Sequence, residues 1–369
     1  MLGGTHRSQW PFTIVIEPMI HDFLLAVLFL SASVPAPSQA EVRRQDFFVD
    51  GDPGVRLFVR EVRFGNTGRI GRPILLVHGA RVPGLASFDL TVPGGSLAAD
   101  LGQLGFDVYL MDVRGYGRST RPKEMDQPPD SHAPLVRSNE AVRDIAAVVD
   151  SIRKRRHVAR IAILGWATGG QWGGYYASLY PEKVSALILL NSLYRGNPQH
   201  SFIGHGTDSE DPAQPNHFNQ HACGGYRLND ANSLLGAWDR SIPMDDKSQW
   251  RDPAVAKAYV EAALNSDSTS HSRTPPSFRS PCGASEDSFY LAIGRQLWDA
   301  SLVTAPTLVL VGERDFWSRP EDREHLAADL VHSPAVRVVV IPGATHFVHL
   351  DRSERGRQVL LNEIDSFVK

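Results

Sequence analysis

The chain has 369 residues, a formal net charge of −3, an apolar fraction of 42% and two cysteines. A chain of this length and composition can form one large α/β domain with an insertion, or two small domains, and can bury a sizeable core. The near-neutral charge, without a block of like charge, argues against nucleic acid and membrane surfaces as partners.

The first 40 residues have the pattern of an export signal. Residues 23–34 are mostly apolar, are too few to span a bilayer, and precede a Ser-Gln-Ala sequence that suits cleavage after Ala40. We therefore expect an exported protein, periplasmic or secreted, with no stable membrane span. Few basic residues precede the apolar run, so an N-terminal extension without a targeting role and a start at Met19 both stay open.

From residue 46 onwards the pattern alternates between buried strands and helices. The predicted strands are a hairpin over 46–62 with its turn at 51–54, and apolar runs at 74–77, 108–111, 161–164, 184–190, 307–312 and 336–341. The predicted helices cover 97–104, 138–154 and a C-terminal segment whose apolar face carries Val359, Leu360, Ile364 and Phe367. This order predicts an α/β fold with a mostly parallel central sheet flanked by helices.

Residues 193–300 differ in composition and are richer in His, Asn, Ser, Pro and Asp. Helices are predicted there only at 253–264, with Asp252 as N-cap, and at 286–300, without a second sheet. We interpret this segment as a cap inserted between two parts of the core, 41–192 and 301–369. Its cysteines, Cys223 and Cys282, either pair in an exported protein, closing a loop worth about 4 kcal/mol, or remain free thiols.

A glycine-rich turn follows the apolar run that begins at Ile161. The sequence Gly165-Trp166-Ala167-Thr168-Gly169 has glycines at both ends, which permit a very sharp turn from a strand into a helix. This is the pattern of a nucleophile elbow, G-x-S-x-G, which presents its central serine at the positive end of the following helix. In this chain the central residue is Ala167.

Four other loops of similar character follow predicted strands. They are His78-Gly79, the D-x-R-G-x-G-x-S sequence at 112–119, Gly312-x-x-Asp315 and Gly343-x-x-His346. Together with the elbow, in the order elbow, acid, base, they resemble the α/β-hydrolase superfamily from about residue 47 to the C-terminus, apart from the cap. The resemblance implies an α/β-hydrolase fold with an inserted cap, related to enzymes that cleave carboxylic esters or lactones.

The resemblance also implies a catalytic triad. Position 167 is that of the nucleophile, His346 is the base, and Asp315 is the carboxylate that fixes the imidazole tautomer. His349 is a lesser candidate for the base and Glu313 for the acid.

The same resemblance implies how a substrate is held. The backbone amides of Ala80 and Thr168 would form the oxyanion hole, and we assign Arg81 and Trp166 to substrate binding. The implied partner is a small molecule, an apolar ester or lactone. No cofactor is expected, and the oligomeric state stays open.

Ala167 lacks the hydroxyl that an acyl-enzyme mechanism requires. Removing the nucleophile of a serine protease lowers kcat by about a millionfold, so ordinary acyl-enzyme catalysis is not expected. Thr168 is a poor substitute, because at the apex it would break the glycine spacing and place a β-branched residue at positive φ. Three explanations stay open: Ala167 is an engineered replacement; it is natural, and His346 activates water or serves a non-hydrolytic enzyme such as a lyase; or the protein only binds a ligand.

The cap contains two further groups of side chains. The spacing His217-x-x-x-His221 could place two imidazoles on one helical face for a metal, but the surrounding Gly, Pro and Asn favour a loop, and we predict no metal site. The residues that share that segment are His200, His205 and Cys223. Aromatic residues that can line an apolar pocket or form a core are Trp166, Trp172, Phe202, Phe218, Trp238, Tyr290 and Trp298.

Overall fold

A computed structural model describes residues 41–65 and 71–369. The predicted export signal therefore lies outside the described residues. The strands are β1 (Val42–Asp50), β2 (Arg56–Phe64), β3 (Arg72–Val77), β4 (Phe106–Met111), β5 (Ile161–Trp166), β6 (Val184–Leu190), β7 (Tyr226–Asp230), β8 (Ser277–Pro281), β9 (Thr307–Arg314) and β10 (Val336–Thr345). The α-helices are α1 (Gly84–Phe88), α2 (Leu97–Gln103), α3 (Ser138–Arg156), α4 (Thr168–Leu179), α5 (Ala231–Asp239), α6 (Pro253–Leu264), α7 (Gly283–Ala292), α8 (Pro320–Asp329) and α9 (Arg357–Phe367).

The main sheet has eight strands in the order β1-β2-β4-β3-β5-β6-β9-β10. The six strands from β4 to β10 in that order run parallel, and β1 and β2 form an antiparallel edge. Every residue of β4 and β5 is buried, as expected for parallel strands covered on both faces. The predicted α/β fold with a mostly parallel central sheet is confirmed.

Helices cover both faces of this sheet. Apolar side chains of α3 and α4 pack on one face with Leu75 and Val77, while those of α2 and α9 pack on the other with Ile74 and Leu76. Each face therefore has its own hydrophobic cluster, because successive side chains of a strand point to opposite sides.

The C-terminal helix buries a different set of residues from the one predicted. Leu360 and Ile364 of α9 are buried as expected, but Val359 is 39% exposed and Leu361 takes its place. The prediction was wrong for Val359 because residues three or four apart share a helix face, and the buried face runs through Arg357, Leu360, Leu361 and Ile364 with Val359 beside it.

The cap departs from its sequence prediction in three ways. It contains a small antiparallel sheet of β7 and β8, and it contains α5, neither of which was predicted. The predicted helix over 286–300 is displaced, since α7 spans Gly283–Ala292 and Gly294 at φ 98° follows it. The strand β8 escaped prediction because Arg279, in its middle, is buried by an ion pair with Asp267 and not by apolar contacts.

Other features of the cap agree with the sequence. Helix α6 begins where predicted, and the Asp252 carboxylate accepts a hydrogen bond from the amide of Ala254 at 2.8 Å. Cys223 and Cys282 form a disulfide, the first of the two alternatives. Among the described helices, none has the length and apolar character needed to cross a bilayer.

Candidate active site

The turn between β5 and α4 has the shape of a nucleophile elbow. Ala167 adopts φ 52° and ψ −120°, a strained conformation for a residue with a side chain. A Cβ on Gly165 would lie 2.1 Å from the carbonyl oxygen of Gly169, and a Cβ on Gly169 would lie 2.2 Å from that of Val77. Close packing of the backbone thus requires both glycines.

His346 and Asp315 meet at the ends of the last two strands. The Nδ1 atom of His346 lies 2.6 Å from Oδ1 of Asp315. The carboxylate also accepts hydrogen bonds from the amides of Trp317 at 3.0 Å and Ser318 at 2.8 Å. An ionised carboxylate held by donors keeps the proton on Nδ1 and leaves Nε2 as a hydrogen-bond acceptor.

His349 and Glu313, the lesser candidates for the base and the acid, do not form the pair. His349 is completely buried behind Trp166, with ring centroids 4.4 Å apart, and burial lowers the pKa of its imidazole well below the ordinary value. Glu313 is exposed, and its carboxylate accepts a hydrogen bond from the amide of Gly343 at 2.8 Å. The geometry therefore pairs Asp315, and not Glu313, with His346.

His78 fixes the loop that follows β3. Its Nδ1–H donates to the carbonyl of Gly79 at 2.7 Å, and its Nε2 accepts from the amide of Val113 at 3.1 Å. Burial lowers the pKa of His78 to about 4, so the ring is neutral at neutral pH. Because a neutral ring can donate at one nitrogen and accept at the other, His78 joins this loop to the one after β4.

The loop after β4, which carries the D-x-R-G-x-G-x-S sequence, supports the site from outside. The Asp112 carboxylate accepts hydrogen bonds from the amides of Gly84 at 2.8 Å and Arg118 at 2.9 Å. Arg114 pairs with Asp144 on α3. Burial raises the pKa of Asp112 to about 6. These contacts fix the conformation of the loop, and none of them involves His346, Asp315 or Ala167.

Asn191, directly after β6, is a positioning residue that sequence reasoning missed. Its side-chain amide donates to the carbonyl oxygens of His346 at 3.0 Å and Thr345 at 3.3 Å, and its side-chain oxygen accepts from the amide of Gly312 at 2.8 Å. Asn191 adopts φ 50°, a conformation that asparagine tolerates better than most residues. A polar residue directly after the buried apolar run 186–190 was the available signal.

The elbow and His346 face a cavity of about 370 Å³. It is lined by the predicted site residues Ala80, Arg81, Trp166, Ala167, Thr168 and His346; Asp315 lies behind His346. Thr168 is the first residue of α4, so its amide has no acceptor within the helix and is available to an oxyanion. The indole Nε1 of Trp166 donates to the carbonyl of His346 at 2.9 Å.

Part of the predicted aromatic lining is present. Trp166, Phe202 and Phe218 line the cavity, with Tyr259, Phe316, Trp317 and Phe347. The predicted residues that do not line it are Trp172, Trp238, Tyr290 and Trp298. The first two of these are fully buried in the hydrophobic clusters.

The cap histidines do not gather into a metal site. Residues 217–221 are not helical, and His200 Nε2 lies 2.8 Å from the backbone carbonyl of Trp317. Within residues 41–65 and 71–369, no group of three or more His, Cys, Asp or Glu side chains is arranged to hold a metal ion.

Comparison with known proteins assigns this arrangement to a family. The family model described as alpha/beta hydrolase fold matches residues 72–353. The chain belongs to the alpha/beta hydrolase family.

Two relatives show how far the similarity of this alpha/beta hydrolase extends. The monoacylglycerol lipase of Mycolicibacterium smegmatis is 25% identical over 276 residues, 74% of this chain and 81% of the lipase. The poly(3-hydroxyalkanoate) polymerase subunit PhaC of Haloferax mediterranei is 36% identical over 118 residues, 32% of this chain and 21% of that subunit. The chain therefore matches only about a fifth of the polymerase subunit's length.

Solved structures of alpha/beta hydrolases share the fold. The laboratory-evolved variant R-C1B1D33 of potato epoxide hydrolase StEH1 is similar with a TM-score of 0.57, 18% sequence identity, and coverage of 88% of this chain and 99% of that one. At this level of identity, the likeness concerns the fold.

Proposed function

We propose that the site of this alpha/beta hydrolase is built to bind and cleave a carboxylic ester or a lactone. The observation that carries the proposal is the His346–Asp315 pair in a cavity that also contains the elbow at Ala167. The relative named monoacylglycerol lipase, which matches 74% of the chain, supports ester chemistry. The proposed oxyanion donors are the amides of Ala80 and Thr168.

The residue at position 167 determines which nucleophile can attack the carbonyl carbon in this site. With a serine there, His346 Nε2 would accept the hydroxyl proton while the oxygen attacks the carbonyl carbon, and the two amides would hold the resulting oxyanion. With Ala167, no acyl-enzyme forms. The remaining route is attack by water on the carbonyl carbon, with one water proton passing to Nε2 of His346. The imidazolium then returns this proton to the alcohol oxygen as the C–O bond of the ester or lactone breaks. We propose this slow route for the chain with Ala167.

The variant Ala167→Ser tests the proposal. Alanine and serine differ by one oxygen atom, and the elbow already has its strained backbone conformation, so no rearrangement is needed. We expect the variant to hydrolyse p-nitrophenyl esters or simple lactones at least a thousandfold faster than the parent. The matched control is Ala167→Ser combined with His346→Ala, which should fall to the parent level or below it. If Ala167→Ser is as inert as the parent toward esters, lactones and amides, the proposal is wrong.

Ala167 also favours a second candidate, a protein that binds such a ligand without turnover. The parent and its His346→Ala variant separate the two. A residual hydrolysis rate that disappears in His346→Ala supports the water route. Equal rates in both proteins, together with saturable ester binding, support the binding protein.

We further propose that the protein is exported. Support comes from the disulfide between Cys223 and Cys282, since disulfides persist mainly in oxidising compartments. Expression of the full chain in a bacterium, followed by fractionation and N-terminal sequencing, tests this proposal. The expected product is periplasmic or secreted and begins at Glu41; an uncleaved chain in the cytoplasm would contradict it.

A further inference from the structure

Three arginines line the cavity, and none of them forms an ion pair with a carboxylate in the described chain. Arg240 is exposed and stacks on Phe316, whereas Arg81 and Arg227 are held by hydrogen bonds. Arg81 lies on the loop after β3, and Arg227 lies on β7 of the cap. Over the part of the chain that the structure describes, neither guanidinium forms an ion pair with Asp or Glu. Two cations from different parts of the fold therefore lie at one cavity without an ion-paired carboxylate, although the more distant charge of Asp230 favours protonated Arg81.

The most deeply buried arginines of the same chain behave differently. Arg114, Arg279 and Arg357, each at most 6% exposed, pair with aspartates at 2.5, 2.9 and 2.7 Å. A guanidinium removed from water is costly unless an anion compensates it. The protein supplies that anion for these three scaffold arginines, but not for Arg81 and Arg227 at the cavity.

The contacts of Arg81 and Arg227 hold the side chains without neutralising them. Arg81 donates from Nε to Oδ1 of Asn229 at 3.0 Å and from Nη2 to Oγ of Ser233 at 3.1 Å. Arg227 donates from Nη2 to Oγ of Ser285, while its Nε is buried and has no acceptor among the described residues. Every acceptor is a neutral oxygen, so both side chains keep a fixed position and their full charge.

The electrostatics of the pair agree with this picture. Burial, together with the positive charge of Arg81, lowers the pKa of Arg227 to about 10. Burial is also the main cause that lowers the pKa of Arg81. Both remain protonated at neutral pH. The one acidic residue among the described lining residues, Asp208, is exposed on a cap loop.

We propose that the ligand is an ester or lactone that carries a carboxylate group, and that Arg227 and Arg81 bind this carboxylate. A carboxylate matches the planar fork of a guanidinium and would compensate the positive charge of both arginines. Aromatic side chains such as Phe202 and Phe218 would contact the apolar part of the ligand. The inference rests on the proposed function for its ester or lactone group, but its anion site can be tested alone.

Binding to the parent protein is the first measurement, because Ala167 prevents acyl-enzyme turnover of the probe. Calorimetry compares monobenzyl glutarate, which carries one carboxylate, with the neutral benzyl methyl glutarate. We expect the parent to bind the monoanion at least tenfold more tightly, with a preference that weakens between 50 and 500 mM salt, since salt screens charge. Equal binding of both probes, or preference for the diester, overturns the proposal.

Variants test which arginines cause the preference for the monoanion over the diester. Arg227→Met and Arg81→Met keep most of the side-chain volume, and each should reduce the preference at least fivefold while changing diester affinity less than threefold. Arg227→Lys should retain part of it. The matched control is Arg240→Met, because Arg240 also lines the cavity but is exposed and stacks on Phe316. If Arg240→Met removes the preference as fully as Arg227→Met, the assignment is wrong.

The two proposals can fail separately. A monoanion preference in the parent, combined with an inert Ala167→Ser variant, keeps the anion site and rejects the hydrolase function. Hydrolysis of both esters by Ala167→Ser with equal kcat/KM keeps the hydrolase function and rejects the anion site. Where Arg227→Met does not fold, judged by circular dichroism, the comparison of the two probes on the parent still decides.

Discussion

The side-chain amide of Asn191 donates a hydrogen bond to the backbone carbonyl of His346 at 3.0 Å. The oxygen of the same side chain accepts from the amide of Gly312, three residues before Asp315, at 2.8 Å. One residue at the end of β6 therefore ties the loop of the proposed acid to the loop of the proposed base.

We expect Asn191→Asp to loosen this connection. Aspartate keeps the shape and the tolerance for positive φ, but it loses the two donors to Thr345 and His346. Placing a buried carboxylate against two carbonyl oxygens, in place of an amide that donates to both, should lower the free energy of unfolding by about 1–3 kcal/mol. In the Ala167→Ser background, kcat should fall about tenfold with little change in KM. Urea unfolding and steady-state kinetics measure both effects, and Asn362→Asp, an exposed change on α9, is the control.

Asp315→Asn should be far more damaging to catalysis than to stability. In the Ala167→Ser background we expect kcat to fall about 10³–10⁴-fold, because an amide stabilises the wrong imidazole tautomer and cannot compensate the imidazolium. Glu313→Gln in the same background is the control and should stay within threefold. A larger loss for Glu313→Gln would reverse the assignment of the acid.

His78 predicts a pH dependence of stability. Its pKa falls from 6.5 to about 4 in the folded protein, so the folded state resists a proton that the unfolded state takes up. The contribution is complete above pH 6.5 and is lost as the pH falls toward 4, by up to about 1.4 kcal/mol per pH unit. His78→Gln should lack this slope. Chemical unfolding of both proteins between pH 7 and 4.5 measures the difference.

The comparison with the variant is needed because other groups titrate in this range. The pKa of Asp112 is raised to about 6, which adds stability as the pH falls, in the opposite sense to His78. Asp112 is present in both proteins, so its effect cancels in the difference. Parallel stability curves for parent and variant would contradict the prediction.

Loss of the disulfide should destabilise the cap and its docking. Cys223 and Cys282 are 59 residues apart in sequence, and a cross-link of that loop length is worth about 4 kcal/mol in the chain-entropy model. We expect the double variant Cys223→Ser, Cys282→Ser to unfold at a lower urea concentration than the parent. Adding a reductant should move the parent toward the variant and leave the variant unchanged. A reductant-insensitive parent would speak against a structural role for the bond.

The core of the fold was predictable because its strands are apolar and its loops carry glycine at fixed places. The apolar runs that form β5 and β6 are buried throughout or nearly so. Gly165 and Gly169 predict the sharp turn between β5 and α4. Local sequence determines these features. The His346–Asp315 contact follows from the order of strands in the sheet once the family resemblance is recognised.

The cap was less predictable because polar pairs build much of it. Arg279 is buried in β8 through Asp267, and Asn229 of β7 is buried through Ser280, so neither strand shows an apolar alternation. Asn191 and Arg227 were not predicted as site residues for a related reason. Their partners, His346 and Ser285, are distant in sequence, and a single polar residue carries no periodic signal.

The backbone of Ala167 keeps φ at 52° although the residue has no hydroxyl to present. Its neighbours impose that geometry: Gly165, Gly169 and Val77 pack too closely for the turn to relax. The backbone conformation of a nucleophile elbow is thus present without the nucleophile's hydroxyl. An alanine form and a serine form of this protein can therefore share one backbone, and the change between them requires a single oxygen atom with no compensating change elsewhere in the chain.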